Sequence, residues 1–458
     1  MEIRQFEDKN LAHFSYAIVS RGEMAVVDPS RNPQPYYDFA REHHAKITAV
    51  IETHPHADFV SSHLEIRQST GAAIYVSKLA DATYMHQSFD DGDAILLGGI
   101  TLKAMNTPGH SPDSISIVAF DEAGRQHAVF TGDTLFIGDC GRPDLRELAG
   151  AITASRTELA KQMFHSLQSK IMQLPDDVLV YPAHGAGSLC GKALSRQKSS
   201  SIGAEKMSNW SLQQMSEEVF VKELLTDQPF IPKYFPYDVA VNLAGAATFA
   251  ESVLQVEKRS PVTCKSCADS LDPQVTIIDT RPHLQFKKAH LKHAINLMND
   301  VKFETWLGSI ISPGEKFYLV AENDTVLNQL IERIARIGYE KQILLAFTSD
   351  YGDVDAPVFD SSNLLEHLDE YTIVDIRNKG EKEMKEIFGN TLHIPLYELR
   401  ERAGEIPVDK PILVHCAGGY RSAAGSSIIQ AAAGGKTPVF DLSDAVKLFQ
   451  PQLHAVIS

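Results

Sequence analysis

The sequence predicts an α/β protein built from three domains, and three observations carry that expectation. At 458 residues the chain has room for about three domains of roughly 150 residues each. From Ala12 to about Pro108 short apolar runs alternate with helical stretches: YAIVS, MAVVD, the helix-like PYYDFAREHHA, then ITAVIETH. That is the rhythm of strands separated by helices. Further on, VTIIDTR, HAINL and KFYLVAEN recur as YTIVDIR, LHIPL and PILVHCAG, which reads as a duplication. From Asp279 to Glu322 is 43 positions and from Asp375 to Cys416 is 41.

The order along the chain follows from these features. The first domain takes residues 1–255. Its Ser-, Lys- and Gly-rich stretch from Ser188 to Ser208 and the proline-rich PFIPKYFPYD read as covering loops. A composition break around Lys258 to Cys267 opens the two repeats, expected at 262–350 and 356–458. Hydrophobic residues at 43% and charged residues at 22% suit globular cores rather than disorder.

Charge and cysteine usage narrow the function classes. With 43 Lys plus Arg against 59 Asp plus Glu, the formal charge of −16 repels a phosphate backbone, so no nucleic acid partner is expected. No apolar stretch is long enough to span a bilayer and MEIRQFEDKNLAHFSY has no secretory pattern, so the expectation is a cytoplasmic protein with no membrane contact. Five cysteines, Cys140, Cys190, Cys264, Cys267 and Cys416, suit a reducing compartment where thiols act as ligands or nucleophiles. Cys140 reads as structural, with Arg142 and Asp144 pinning their own loop. Cys264 and Cys267 read as exposed linker thiols rather than zinc ligands.

Ligand-type residues follow four strand-like runs. ITAVIETH ends at His54, ITLKAMNTPGH at His110, AVFTGD at Asp133 and VLVYPAH at His184. Loops at the same ends of neighbouring strands meet in a layered α/β domain, which is how metal sites are assembled from distant segments. A single loop histidine is ordinarily a surface residue; a histidine pair in HPHAD followed by TPGH, GD and PAHG is too ordered for coincidence.

These motifs, THPHADF at 53–59, TPGH at 107–110, TGD at 131–133 and YPAHG at 181–185, resemble the metallo-β-lactamase fold over about the first half of the chain. The resemblance implies an N-terminal αββα sandwich followed by the two repeats. The superfamily's commonest pattern carries a histidine directly after the first motif's aspartate, where Phe59 stands here. A phenyl ring cannot ligate, so a two-zinc hydrolase site loses a donor. LFIGDCGRPDL at 135–145 is similar to the persulfide dioxygenase branch grouped with glyoxalase II. That resemblance implies one Fe(II) per chain, held by His54, His110 and Asp133, with His56, Asp58 and His184 supporting the ligands and zinc as the alternative metal. Two histidines and a carboxylate leave open positions for a persulfide sulfur and O2. Cys190, six positions after His184, reads either as a sulfur relay or as a small buried packing residue.

In VHCAGGYRS a strand delivers Cys416 into a short Gly-containing loop closed by Arg421, before the helix SAAGSSIIQAAA. Inward backbone N–H groups and the helix N-terminus favour a thiolate there, and Arg421 suits an anionic acceptor such as sulfite. The loop, with DIR at 375–377, resembles the rhodanese family, whose cysteine carries a sulfane sulfur; related phosphatase loops are one residue longer. The first repeat places Glu322 where Cys416 falls and Leu327 where Arg421 falls, so it reads as a spacer or docking module.

Together these features predict a persulfide dioxygenase that oxidises a low-molecular-weight persulfide with O2 to sulfite plus thiol. Sulfur transfer to that sulfite would then form thiosulfate. Glutathione, coenzyme A and other thiols stay open as carriers. The competing readings are a zinc-dependent thioester hydrolase resembling glyoxalase II and a non-enzymatic persulfide sensor or sulfur carrier. A homo-oligomer is the fair expectation for such folds, although no interface is legible.

Overall fold

The strand His13–Ser20 is buried along its whole length. Phe14, Tyr16 and Ile18 join one core cluster and Ala17 and Val19 another. A strand apolar on both faces lies inside a layered stack. The computed structural model, which describes residues 1–146 and 155–449, bears this out. Two six-stranded sheets face each other. The first runs Glu2–Asp8, His13–Ser20, Glu23–Val27, Lys46–Ile51, Ala73–Val76 and Gln87–Ser88 in spatial order. The second runs Ser200–Ser201, Leu179–Pro182, Gln126–Gly132, Ile115–Phe120, Ile100–Asn106 and Ala94–Leu97. Phe14, Tyr16 and Ile18 meet Ile115, Ile117 and Phe130 between the sheets. Tyr36, Phe39 and Ile66 cover one outer face, and Met163, Leu167 and Phe220 the other. The result is the expected αββα sandwich.

The segments expected as covering loops are partly helical. Three helices occur here: Ile202–Ser208 at the end of the first segment, Glu217–Leu225 between the two, and Phe235–Ala244 from the end of the second. Ser201 and Ser216 cap the first two through their side chains. Pro236 falls in the first turn of the third, where its missing N–H would have no helical partner anyway. Pro236 therefore marks a helix start, while Pro229 and Pro232 lie in the irregular run before it, as expected.

The chain divides into two compact units, Met1–Val253 with Ile334–Gly338, and Leu254–Arg333 with Tyr339–Ser458. Both repeats fall in the second, apart from Ile334–Gly338 of the first repeat. The first forms a parallel sheet ordered Ala294–Asn296, Thr276–Asp279, Phe317–Ala321, Ile343–Thr348. The other repeats that order with Leu392–His393, Thr372–Asp375, Ile412–His415 and Val439–Asp441. Each central strand ends in the same buried ion pair, Asp279 with Arg281 and Asp375 with Arg377, both 2.6 Å. Residues 450–458 of the last predicted segment lie outside the described residues.

Two expectations are corrected here. Asp279 pairs with Val320 and Asp375 with His415, so Ala321, not Glu322, stands level with Cys416. The turn into the following helix, which starts at Asp324 in one repeat and Tyr420 in the other, is one residue shorter in the first. Cys264 and Cys267 are not free thiols. Cys264 caps the short helix Lys265–Ala268 and accepts the Cys267 N–H, and this turn joins them in a disulfide, Cα atoms 5.3 Å apart. Among the described residues no helix is long and apolar enough to cross a membrane.

Candidate functional site

Four strands aim their carboxyl ends at one point of the sandwich. Lys46–Ile51 leads to His54, His56 and Asp58; Ile100–Asn106 leads to His110; Gln126–Gly132 leads to Asp133; Leu179–Pro182 leads to His184. All six side chains are buried. The approach of these loops requires glycine. A Cβ on Gly109 would lie 2.5 Å from Met163 Cα, and one on Gly132, where φ is +52°, would lie 2.5 Å from Thr53 Oγ1.

The hydrogen bonds fix where the histidine protons sit. His110 Nδ1 lies 2.8 Å from Arg142 O and His184 Nδ1 lies 3.2 Å from Ala12 O. A carbonyl only accepts, so each Nδ1 donates and each Nε2 keeps a lone pair. Thr53 gives its hydroxyl proton to Asp28 Oδ2 at 2.9 Å, so its oxygen accepts from His54 Nδ1 at 3.0 Å, and His54 Nε2 is again a lone pair. These three Nε2 atoms surround Asp133. His54 lies 3.9 Å and His110 3.4 Å from Oδ2, and His184 lies 3.5 Å from Oδ1. Burial, then the charge of His56, holds His54 well below its usual titration range, and burial lowers His110 against the pull of Asp133. The two neutral rings are in the state that ligation needs.

The three Nε2 lone pairs and the Asp133 carboxylate thus line the pocket as acceptors. Both Asp133 oxygens and His184 Nε2 are buried without a hydrogen-bond partner, an arrangement costly unless a cation occupies the middle. His54, His110 and Asp133 offer donor atoms all within 4.8 Å of one another. An N,N,O set of this kind fits a divalent transition metal.

The remaining predicted residues surround this triad. His56 Nε2 turns to Asp28 Oδ1 at 3.1 Å, with Glu52 Oε2 at 3.8 Å. Burial alone would lower its pKa, but the carboxylates of Asp28, Glu52 and Asp133 raise it to about 9. Asp58 Oδ2 lies 3.5 Å from His184 Nε2. Phe59 is buried and packs on His56 and His13, ring centres 4.4 and 3.8 Å away. Cys190 groups with Asp133 and His184. Burial first, then the charges of Asp58 and Asp133, push its thiol pKa well up. Arg142 and Asp144 form the expected ion pair at 2.7 Å.

Sequence reasoning missed Asp28, Glu52 and His13. Asp28 accepts both the N–H and the hydroxyl of Thr53 and so sets the His54 tautomer. His13 Nε2 is buried beside the cluster without a hydrogen-bond partner. None is a ligand of the quoted motifs; the local signal is that Asp28 and Glu52 each directly follow a strand run, MAVV and ITAVI.

In the second unit, Cys416 is buried just past its strand and accepts the Gly419 N–H at 3.1 Å, with Ser422 Oγ 3.7 Å away. Gly419 has φ +99° and a Cβ there would meet Asp444 N at 2.8 Å, so the loop needs this glycine. Arg421 is held by Glu381, its two terminal nitrogens 2.5 and 2.7 Å from the two carboxylate oxygens. Burial raises the Glu381 pKa, but the Arg421 guanidinium overrides it and the carboxyl stays below its ordinary value.

An αββα sandwich with a buried acceptor pocket at its strand ends, followed in the chain by a unit with a buried thiol in a loop on a parallel sheet, defines a protein with a candidate metal site and a separate candidate thiol site. The model of the metallo-β-lactamase superfamily matches residues 9–184, and that of the rhodanese-like domain matches residues 263–346, the repeat without the cysteine. The chain belongs to the metallo-β-lactamase superfamily, has persulfide dioxygenase homologues and carries a C-terminal rhodanese-like region. It is 34% identical over 176 residues to the cytoplasmic hydroxyacylglutathione hydrolase of Arabidopsis thaliana, covering 38% of this chain and 63% of that one, less than two thirds of the relative's length. It is 30% identical over 187 residues to the human mitochondrial persulfide dioxygenase ETHE1, covering 40% of this chain and 67% of that one. The crystal structure of a metallo-β-lactamase from Staphylococcus aureus subsp. aureus COL superposes with a TM-score of 0.68 at 32% identity, covering 76% of this chain and 99% of that one.

Proposed function

We propose that the protein is an iron persulfide dioxygenase coupled to sulfur transfer, with modules at 1–255, 262–350 and 356–458. The observation that carries this reading is the three-donor pocket of His54, His110 and Asp133 with Phe59 where a second metal's ligand would stand. The name of the human relative supports a persulfide substrate. Fe(II) held by the three residues supplies dioxygen chemistry beside a bound persulfide sulfur. The overall reaction takes a persulfide, O2 and one water to a thiol, sulfite and two protons.

The chain's own groups do the rest. Arg142 O, Ala12 O and the Asp28–Thr53 pair hold the imidazole tautomers. Asp58, His56 and His184 surround the ligands, and Cys190 lies within reach of Asp133 for a relay. In the second unit a persulfide on Cys416 is attacked at its outer sulfur by the lone pair of sulfite. The new S–S bond makes thiosulfate, and the electron pair of the broken bond returns to Cys416 as thiolate. The carrier thiol is glutathione, coenzyme A or a similar small molecule, in a cytoplasmic setting.

The test is oxygen uptake by full-length protein loaded anaerobically with Fe(II), on adding glutathione or coenzyme A persulfide. Uptake abolished by His110→Ala is the expected result. A second reading, a zinc thioester hydrolase, is favoured by the identity to the Arabidopsis hydrolase. It replaces the first if no uptake occurs and the zinc-loaded protein cleaves a glutathione thioester.

A further inference from the structure

The repeat without a cysteine is tied to the sulfur-transfer loop by more than packing. Tyr420, the residue before Arg421, donates its hydroxyl to Met298 O at 3.1 Å, and Ser427 Oγ, two helical turns further, accepts the Asn296 N–H at 3.0 Å. Met298 and Asn296 belong to the first repeat. So does Trp306, buried on the helix Phe303–Ile310, whose ring lies under the Arg421 guanidinium carbon at 5.7 Å. Arg421 therefore has Glu381 along one side and an indole face on another. Glu381 is itself fixed, because its carboxylate also accepts the Asn378 N–H at 3.0 Å and closes its helix as a capping box.

We infer that the cysteine-less repeat is one wall of the Cys416 site and that its Trp306 is a positioning residue, pinning Arg421 so that its free N–H groups address an oxyanion acceptor beside the cysteine. The inference rests on the sulfur-transfer reading of Cys416. A guanidinium has five N–H donors in a fixed fork, and the Glu381 carboxylate takes two. An aromatic face leaves the rest undisturbed, since it attracts the cation without accepting a directed hydrogen bond. A second carboxylate at that place would instead cancel the charge an anion needs. A long arginine left without the indole samples other rotamers, and the acceptor then has to order it on binding. The sequence feature that made this repeat look like a spacer, the loss of its thiol, leaves its wall intact.

The experiment compares full-length wild type with Trp306→Leu, which keeps bulk without a π face, and Trp306→Phe, which keeps a face. Three quantities are read: sulfur loading of Cys416 by intact mass after adding thiosulfate, KM and kcat for sulfite, and tryptophan fluorescence on titrating sulfite. The expected result for Trp306→Leu is normal sulfur loading, a KM for sulfite raised roughly tenfold and kcat within about twofold, with KM largely restored in Trp306→Phe. Wild-type fluorescence changes on adding sulfite, and the change is lost in Trp306→Phe, leaving only Trp210.

Unchanged KM in Trp306→Leu overturns the inference, as does a loss of kcat alone that Trp306→Phe shares. If wild-type Cys416 takes up no sulfur, the sulfur-transfer reading fails. The fluorescence arm then decides about the wall: a sulfite response lost in Trp306→Phe supports it, and an identical response overturns it.

Discussion

Cys416 and Glu381 show how single groups decide the chemistry of the second unit. Replacing Cys416 with serine removes the thiol to which the proposed function assigns the sulfur, while the loop, held by Gly419 and Tyr420, keeps its hydrogen bonds to the rest of the fold. Full-length Cys416→Ser supplied with a persulfide and O2 is expected to release sulfite and no thiosulfate above the uncatalysed level. Equal thiosulfate from both proteins, measured by ion chromatography, would end the coupling. Glu381 gives a pH prediction with a definite sign. Its folded pKa lies below the ordinary carboxylate value because of Arg421. The stability contributed by the pair is therefore complete above about pH 4.5 and lost as the pH falls through the lowered folded value. Between pH 5 and 8 the sulfur-transfer rate of wild type should show no ionisation that Glu381→Gln abolishes; such an ionisation in the pH–rate profile would refute it.

Secondary-structure ends carry the metal pocket. His110 is placed by a loop whose Gly109 lies against the helix Arg156–Ser169, and a Cβ on that glycine would come within 2.5 Å of Met163 Cα and Cβ. Gly109→Ala must push the helix or the loop aside, at a cost of about 1–3 kcal/mol. Because the loop moves with His110, metal affinity should fall by about 10- to 100-fold, measured by competition with a chelator, together with a lower Tm. An affinity equal to wild type would show that the loop adjusts elsewhere. The strand ends were legible as sequence because each apolar run stops at a polar ligand residue. The helix at Phe235–Ala244 was not, since a proline-rich aromatic segment has the composition of a loop and only its docking supplies the reason to coil.

The second unit behaves as one body, because its two sheets share buried charge. Lys287 of the first repeat pairs with Asp441 of the second at 2.9 Å, with 8% and 1% of the side chains exposed. Removing one partner of such a pair leaves the other buried and uncompensated, at about 3–5 kcal/mol. Lys287→Met in the full chain is therefore expected to lower the denaturant midpoint of both repeats together, in one transition. Separate transitions for the two, with only one shifted, would contradict it. The duplication itself was readable from spacing, down to the Asp–Arg pair that closes each central strand. Its register was not: Ala321 stands level with Cys416 because Val320 pairs with Asp279 as His415 does with Asp375, and strand pairing is set by partners far along the chain.

By itself the sequence determined the α/β class, the repeat, the six buried residues that gather at the strand ends and the cysteine–glycine loop. Each is written in local order, as an apolar run followed by a donor residue or a cysteine followed by glycines. Tertiary structure alone decided how those parts are held. Asp28 fixes a tautomer from a strand 25 positions before Thr53, Glu381 reaches across 40 positions to Arg421, and Trp306 comes from the other repeat to face the same guanidinium. Such partners carry no motif, because a carboxylate or an indole is common along any chain and gains its role only from the neighbour that folding brings against it.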